Sequence, residues 1–218
     1  MDADFFAGFN RDLRNPNVWR EHYTKSKAKS SPRSSAETLT ALNASGADSL
    51  VVDIPPVPDV DAEALFWEMM RVSRTPDTFM YPALKKLKAS GKFLIAALSN
   101  TMIFPPSHPY AFPGTKGDVR NHFDVFVSSA HVGLRKPDPR IYERALRDMD
   151  EFEKERGGAG IRAEEMVFLD DIGENLKAAR KAGMRTIKVN LGRSREAVKE
   201  LEKITGMKLS GDVEKANL

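Results

Sequence analysis

The stretch Val167-Phe168-Leu169-Asp170-Asp171-Ile172-Gly173-Glu174-Asn175-Leu176 decides how the rest of the chain is read. Residues 166–169 are an apolar run that reads as a short buried strand, and two adjacent carboxylates stand where it stops. Gly173 permits a tight turn, and residues 174–182 read as a helix ended by Gly183. A strand, an acidic pair at its carboxyl end and a helix N-terminus together suit a bound cation and a phosphate. Ligands collect at that edge of open α/β sheets, and helix N-termini favour anions. Two neighbouring ionised carboxylates repel, so a hard cation such as Mg²⁺ relieves the conflict. The plainer alternative is a strand-to-helix turn in which Asp171 caps the helix.

Working outward, the same alternation of strand and helix recurs. Residues 93–98 and 123–127 read as strands, 139–156 as a helix closed by Gly157-Gly158, 186–189 as a strand and 194–205 as a last helix. Alternation of this kind means parallel strands covered by helices. Earlier in the chain the pattern is helical only. Residues 4–25 read as an aromatic-rich helix with Phe5, Phe6 and Phe9 on one face, which favours core packing over a ligand box. Leu65, Phe66, Met69 and Met70 form an apolar stripe in a helix that starts near Asp61 and ends before Pro76, and residues 79–90 read as a helix stopped by Gly91. Between them, residues 25–47 are rich in lysine, serine and other small polar residues. Such a composition buries little surface, so an exposed insertion or disordered loop is expected there. Ile54-Pro55-Pro56-Val57-Pro58 reads as a stiff extended connector.

The composition narrows the function classes. The chain has 218 residues, 41% of them hydrophobic and 30% charged, as in one ordinary soluble domain with room for a small satellite. No apolar run approaches bilayer length, and the acidic start Met1-Asp2-Ala3-Asp4 does not resemble a secretory signal. A cytoplasmic home without membrane association is therefore expected. The absence of cysteine removes disulfides, thiolate metal sites and cysteine nucleophiles. The net charge of +3 is spread among acids, as on a solvated helix face, which argues against nucleic-acid binding.

Three polar groups stand at or near strand ends. Ser99-Asn100-Thr101 follows the strand at 93–98, and a hydroxyl and an amide there can hold phosphoryl oxygens or simply make a turn. In Gly133-Leu134-Arg135-Lys136-Pro137-Asp138-Pro139 the two prolines restrict the backbone and start the next helix. They hold Lys136 near the strand edge, where its ammonium can neutralise a carboxylate or phosphate; the alternative is a solvated lysine. The third group is Asp170-Asp171. Their order is informative, with 37 residues from Ser99 to Lys136 and 35 from Lys136 to Asp171.

With these motifs the sequence resembles the haloacid dehalogenase-like hydrolase superfamily, in particular the group containing the N-terminal phosphatase domain of soluble epoxide hydrolases. The likeness runs through Ala97-Leu98-Ser99-Asn100-Thr101, the block from Gly133 through Tyr142, and the opening stretch, within residues 60–205. It implies an α/β, Rossmann-like parallel sheet core at residues 83–218 and a small helical cap region at 1–82, into which the composition places a disordered insertion at about 25–60. It implies that Ser99 and Asn100 contact a phosphoryl group and that Lys136 bridges nucleophile and phosphate. Asp171 is then a Mg²⁺ ligand with Asp170 beside it, and Asn175 supports the loop. The implied activity is Mg²⁺-dependent hydrolysis of a small phosphorylated substrate, with Ser99 and Lys136 in catalytic positions.

One part of the family pattern is missing. Such proteins carry an aspartate nucleophile in Asp-x-Asp at the end of a first, central strand. Asp2-Ala3-Asp4 has the letters, but only Met1 precedes it and the chain continues as helix. Val51-Val52-Asp53 ends an apolar run, but prolines follow and no second acid stands two residues on. The first central strand is therefore expected to be absent, between the strands ending at Ser99 and Asp170. Its neighbours then keep unpaired backbone groups. The expectation is an N-terminally incomplete chain, or a gap filled by residues 50–54 or by a partner's strand, with catalysis in question. The alternatives are a non-catalytic relative that binds a ligand or partner, and a basic interaction module at residues 25–33.

Overall fold

The computed structural model describes residues 3–30, 55–111 and 118–211. The chain forms two compact units, Met1–Thr75 and Pro76–Leu218.

In the first unit, helices α1 (Ala3–Leu13), α2 (Pro16–Ser30) and α3 (Ala62–Ser73) follow one another. The single helix expected over 4–25 is two, because Pro16 lacks the N–H a continuing helix needs and starts α2 instead. The Asn15 side chain accepts a bond from Asn17 N–H at that junction. The break expected from residue 25 does not begin there, since α2 runs on to Ser30. Lysine and alanine are good helix formers, and a Glu21–Lys25 pair one turn apart ties the exposed face. Residues 31–54, which include most of the remainder of the expected insertion and Val51-Val52-Asp53, lie outside the described residues. Asp61 caps α3 by accepting a bond from Ala64 N–H. Phe5, Phe6 and Phe9 of α1 surround the buried Phe66 of α3 edge-on, with ring centroids 5.2 to 6.1 Å away. That arrangement is core packing, as the helical spacing implies.

The second unit alternates: α4 (Met80–Ser90), β1 (Ala96–Ser99), β2 (Val125–Ser128), α5 (Ser129–Val132), α6 (Pro139–Glu155), β3 (Val167–Asp170), α7 (Gly173–Lys181), β4 (Arg185–Lys188) and α8 (Ser194–Thr205). Each strand starts or ends within a few residues of its sequence-based position. β1 begins late because Ile95 is held by Asp124, which takes the Ile95 N–H with its carboxylate and gives its own N–H to the Ile95 carbonyl. β1 pairs in parallel with β2, Ala96 opposite Val125, and β3 pairs in parallel with β4, Val167 opposite Arg185. These are two separate ladders, and no strand joins β1 to β3 among the described residues.

The two ladders are nevertheless halves of one layer. On one side α4 and α8 contribute Ala83, Leu87, Ala197, Val198 and Leu201 to a core that receives Ile95, Val167, Leu169 and Ile187. On the other, α6 and α7 contribute Ile141, Tyr142, Ala145 and Ala179 to a core that receives Leu98, Val127 and Phe168. Successive strand residues face opposite sides, so β3 sends side chains into both cores. Residues flanking and within β1 do the same, through Ile95 and Leu98. No helix among the described residues is long and apolar enough to cross a membrane.

Candidate functional site

The site is built at the carboxyl ends of β1, β2 and β3. Gly133 takes φ 69°, a left-handed conformation that ends α5 without a Cβ penalty and turns the chain into the Lys136 loop. At the other end of that loop Asp138 caps α6 and Pro139 occupies its first turn. Between these fixed points Lys136 is clamped by its own backbone. Its N–H donates to Asn100 Oδ1 at 2.8 Å and its carbonyl accepts from Asn100 Nδ2 at 3.1 Å. Asn100 therefore acts first on the lysine loop, welding the residue after β1 to the segment after α5.

The Lys136 ammonium reaches β3. Nζ donates to Asp170 Oδ2 at 2.6 Å and lies 5.3 Å from the Phe168 ring centroid. Both side chains are buried, at 11% exposure for Lys136 and 5% for Asp170. The other Asp170 oxygen accepts from Ile172 N–H at 2.8 Å and from Asn175 Nδ2 at 3.0 Å. Burial pushes the Asp170 carboxyl up. The Lys136 ammonium, the Ile172 N–H and the Asn175 amide outweigh it and hold the group below the ordinary carboxylate range. Asn175 is itself buried on α7, and its carbonyl accepts from the Tyr142 hydroxyl at 2.9 Å. Burial, then the nearby Asp170 charge, pushes the Tyr142 phenol up to about 12. A chain of contacts thus runs from α6 through α7 to β3 and the lysine.

The two aspartates differ in environment. Asp171 is exposed and holds no side-chain hydrogen bond or ion pair among the described residues. It does not cap α7: Ile172 takes that position and no side chain closes the helix start. Asp171 is consequently the carboxylate available to a cation, whereas Asp170 is committed to the lysine. Ser99 is half-buried as the last residue of β1, opposite Ser128. Among the described residues no group of three or more histidine, aspartate or glutamate side chains gathers as a metal cage. The donors present fit Mg²⁺ as one or two carboxylates of a shell completed by water and substrate oxygens, which is how that ion is commonly held.

A hydroxyl network beside the site was not singled out in the sequence. Thr101 Oγ1 lies 2.5 Å from Ser128 Oγ, which in turn lies 2.7 Å from His131 Nδ1. Thr101 N–H donates to Ser129 Oγ at 2.8 Å. The signal was present as Ser128-Ser129 at a strand end, a place where short hydroxyl side chains bind neighbouring backbone. Of the two stretches weighed for the missing nucleophile, Asp4 lies in α1 and Asp53 lies outside the described residues.

Parallel strands covered on both faces by helices, with polar groups at their carboxyl ends, define an α/β protein of the class that binds ligands at that edge. Comparison with known proteins makes this specific. The family profile described as haloacid dehalogenase-like hydrolase matches residues 56–183, more than half of the chain, and the chain belongs to that family.

Among curated relatives, the bifunctional epoxide hydrolase 2 of Sus scrofa is 42% identical over 92 residues, 42% of this chain and 14% of that protein. A sesquiterpene phosphatase of Aspergillus oryzae, astK, is 32% identical over 132 residues, 60% of this chain and 58% of that protein. The chain thus spans a small fraction of the epoxide hydrolase and somewhat over half of the phosphatase. Among solved structures, an uncharacterised Corynebacterium glutamicum protein superposes with a TM-score of 0.45 at 19% identity, over 59% of this chain and 82% of that one. A haloacid dehalogenase family enzyme of Bacteroides thetaiotaomicron, crystallised with magnesium and inorganic phosphate, does so with a TM-score of 0.40 at 28% identity, over 54% of each chain.

Proposed function

We propose that this chain binds the phosphoryl group of a small phosphorylated substrate at the carboxyl edge of β1 and β3, and that it serves Mg²⁺-dependent phosphoester hydrolysis from a cytoplasmic location. The observation that carries the reading is the buried Lys136–Asp170 pair with Asn100 clamped to the lysine backbone. A buried ion pair is a poor investment for stability alone, and it is reasonable where an oriented ammonium is needed. In this reading Asp170 fixes Lys136, and the ammonium neutralises phosphoryl oxygens. The Ser99 hydroxyl and the open N-terminus of α7 donate hydrogen bonds to the same group. Asp171 would hold magnesium, which when bound withdraws charge from phosphoryl oxygens. The sesquiterpene phosphatase relative supports phosphoester chemistry as the substrate class.

A second reading is favoured by one specific observation. The described carboxylates at this edge are Asp170, engaged by three donors, and Asp171, set towards solvent. Neither is poised as a nucleophile, so the non-catalytic alternative is a phosphate-binding member of the family. Hydrolysis of p-nitrophenyl phosphate with and without Mg²⁺, beside calorimetric titration of inorganic phosphate, separates the two. Turnover that requires Mg²⁺ and is lost in Asp171→Ala supports the hydrolase. Phosphate binding without turnover supports the binding protein. A folded chain that neither binds nor turns over phosphate removes both.

A further inference from the structure

The hydroxyl relay beside the candidate site is left unused by the proposed function. It runs in single file from Thr101 Oγ1 to Ser128 Oγ at 2.5 Å and from Ser128 Oγ to His131 Nδ1 at 2.7 Å. Its middle is closed to solvent, with Ser128 only 7% exposed, while His131 at the far end is exposed. Burial makes Ser128 ill-placed as a nucleophile and well placed to pass on the direction of a hydrogen bond. The near end is anchored in the phosphoryl edge. Thr101 follows Asn100, whose amide clamps the Lys136 backbone, and stands two residues past Ser99. Its N–H donates to Ser129 Oγ at 2.8 Å and its carbonyl accepts from that same hydroxyl at 3.3 Å. Its Oγ1 accepts from Ala130 N–H at 3.5 Å. The backbone and oxygen of Thr101 are thus fixed, and what remains open is where its hydroxyl hydrogen points.

Proton counting decides that direction. Each hydroxyl has one hydrogen to donate. With a neutral ring that carries its hydrogen on Nε2, Nδ1 accepts from Ser128, and Ser128 in turn accepts from Thr101. Protonation makes Nδ1 a donor. Ser128 then accepts from the ring and turns its own hydrogen to Thr101, which frees the Thr101 hydrogen. Thr101 Oγ1 makes no further hydrogen bond among the described residues, so that hydrogen is left for a ligand. We propose that His131 is a positioning residue for the phosphoryl site, acting through Ser128 to set whether Thr101 donates its hydroxyl hydrogen to a bound tetrahedral dianion. This rests on the phosphoryl-binding reading of the edge and adds a donor and a pH dependence to it. The sign follows from the relay. A charged ring supplies both a donor and a positive charge, so anion affinity rises as pH falls through the histidine range, about 5 to 8. The surroundings leave His131 as the group that changes. β2, which packs on α5, carries no ionisable side chain, and neither do residues 98–107 beyond β1. His108, next in that loop, has its ring against Phe104 and Tyr110. Beyond α5, Arg135 is exposed and Lys136 is engaged by Asp170. No ion pair reaches His131 among the described residues.

The test is calorimetric titration of the full chain with sulfate at about pH 8 and about pH 5.5, either side of the histidine range. Sulfate is a tetrahedral dianion whose charge stays constant there, whereas phosphate itself titrates. The expected result is affinity tighter by roughly fivefold or more at the lower pH. His131→Asn, which keeps a hydrogen-bonding atom near the Nδ1 position and carries no charge, should lose that response. Thr101→Val and Ser128→Ala, which keep the histidine and cut the relay, should lose it too. His131→Asn retains His108 and His122, so a full response in that variant assigns the effect to them and overturns the proposal. A full response in folded Thr101→Val means that the ring acts by charge across space, and overturns the relay. Nitrogen-15 NMR of the wild-type histidine side chains, with His131 assigned by its loss in His131→Asn, needs no variant to fold differently. At about pH 8 the His131 hydrogen should sit on Nε2, and a neutral ring protonated on Nδ1 overturns the proposal. Sulfate binding without a pH response removes this inference alone. No sulfate binding at either pH removes the phosphoryl site as well.

Discussion

Replacing Lys136 by methionine tests the site at its most committed contact. The change keeps the apolar stem and deletes the ammonium, leaving Asp170 buried without its ion-pair partner. Breaking a buried pair from one side costs about 3–5 kcal/mol. Asp170 retains the Ile172 N–H and the Asn175 amide, so the low end applies, about 3 kcal/mol. The loss should also depend on pH. In the variant the stranded carboxylate is easier to protonate, so the gap to wild type narrows as the solution is acidified. Restoring balance with Lys136→Met plus Asp170→Asn should recover much of the loss, giving a large coupling energy in the double-mutant cycle.

The choice of signal matters, because Trp19 and Trp67 both lie in the first unit and tryptophan fluorescence reports on that unit. Urea-dependent hydrogen exchange of the segment carrying β3 is the appropriate readout. A loss of about 0.5 kcal/mol or less, the size expected of an exposed pair, would refute the claim that this contact is buried and structurally committed.

Further outcomes follow from the same contacts. Asn100→Ala removes two bonds to the Lys136 backbone and should cost about 1–3 kcal/mol, with weaker phosphate binding by calorimetry. Asp171→Asn should leave unfolding within about 0.5 kcal/mol of wild type while abolishing any effect of Mg²⁺ on phosphate affinity. Tyr142→Phe deletes the bond to the Asn175 carbonyl and should cost about 1 kcal/mol; by ultraviolet titration the phenol lost should be one ionising near 12 in the wild type. Asp77, Asp124 and Asp170 all sit below their ordinary range in the folded chain, with hydrogen-bond donors overcoming burial in each case. Their folded values are depressed, so their stabilisation is complete above the ordinary carboxylate range and is lost as pH falls through the folded values. Acid unfolding monitored by circular dichroism checks that direction, and an increase in stability on acidification would contradict it.

Much of the second unit was legible because its residues obey two simple periods. Apolar runs stopping at Ser99, Ser128 and Asp170 gave the strands, and Pro139 and Gly183 bracketed the helices between them. The prolines around Lys136 marked a constrained loop, and the structure shows that loop held between Gly133 and Asp138. What the sequence could not show was the division of labour within Asp170-Asp171. Adjacent strand-end residues point to different surroundings, and only the fold reveals that the first turns inward to a lysine and the second outward. The extension of α2 was missed for a different reason. Lysine and serine together suggest a solvated loop, yet a helix needs no buried face when one end is anchored; Trp19 Nε1 donates to the Pro55 carbonyl near the start of α2. The Thr101–Ser128 contact was illegible because nothing in a linear string says that a serine ending one strand faces a threonine following another.

The position of β3 carries a last consequence. Val167 and Leu169 point into one helical layer while Phe168 points into the other, so this four-residue strand, together with the segment from Ile95 to Leu98, stitches two oil drops into one. Damage on either side is therefore transmitted across the ribbon, and the two layers should melt in one step even though only paired ladders hold the middle. A protein wired this way cannot loosen one flank to admit a visitor without slackening the grip on the other.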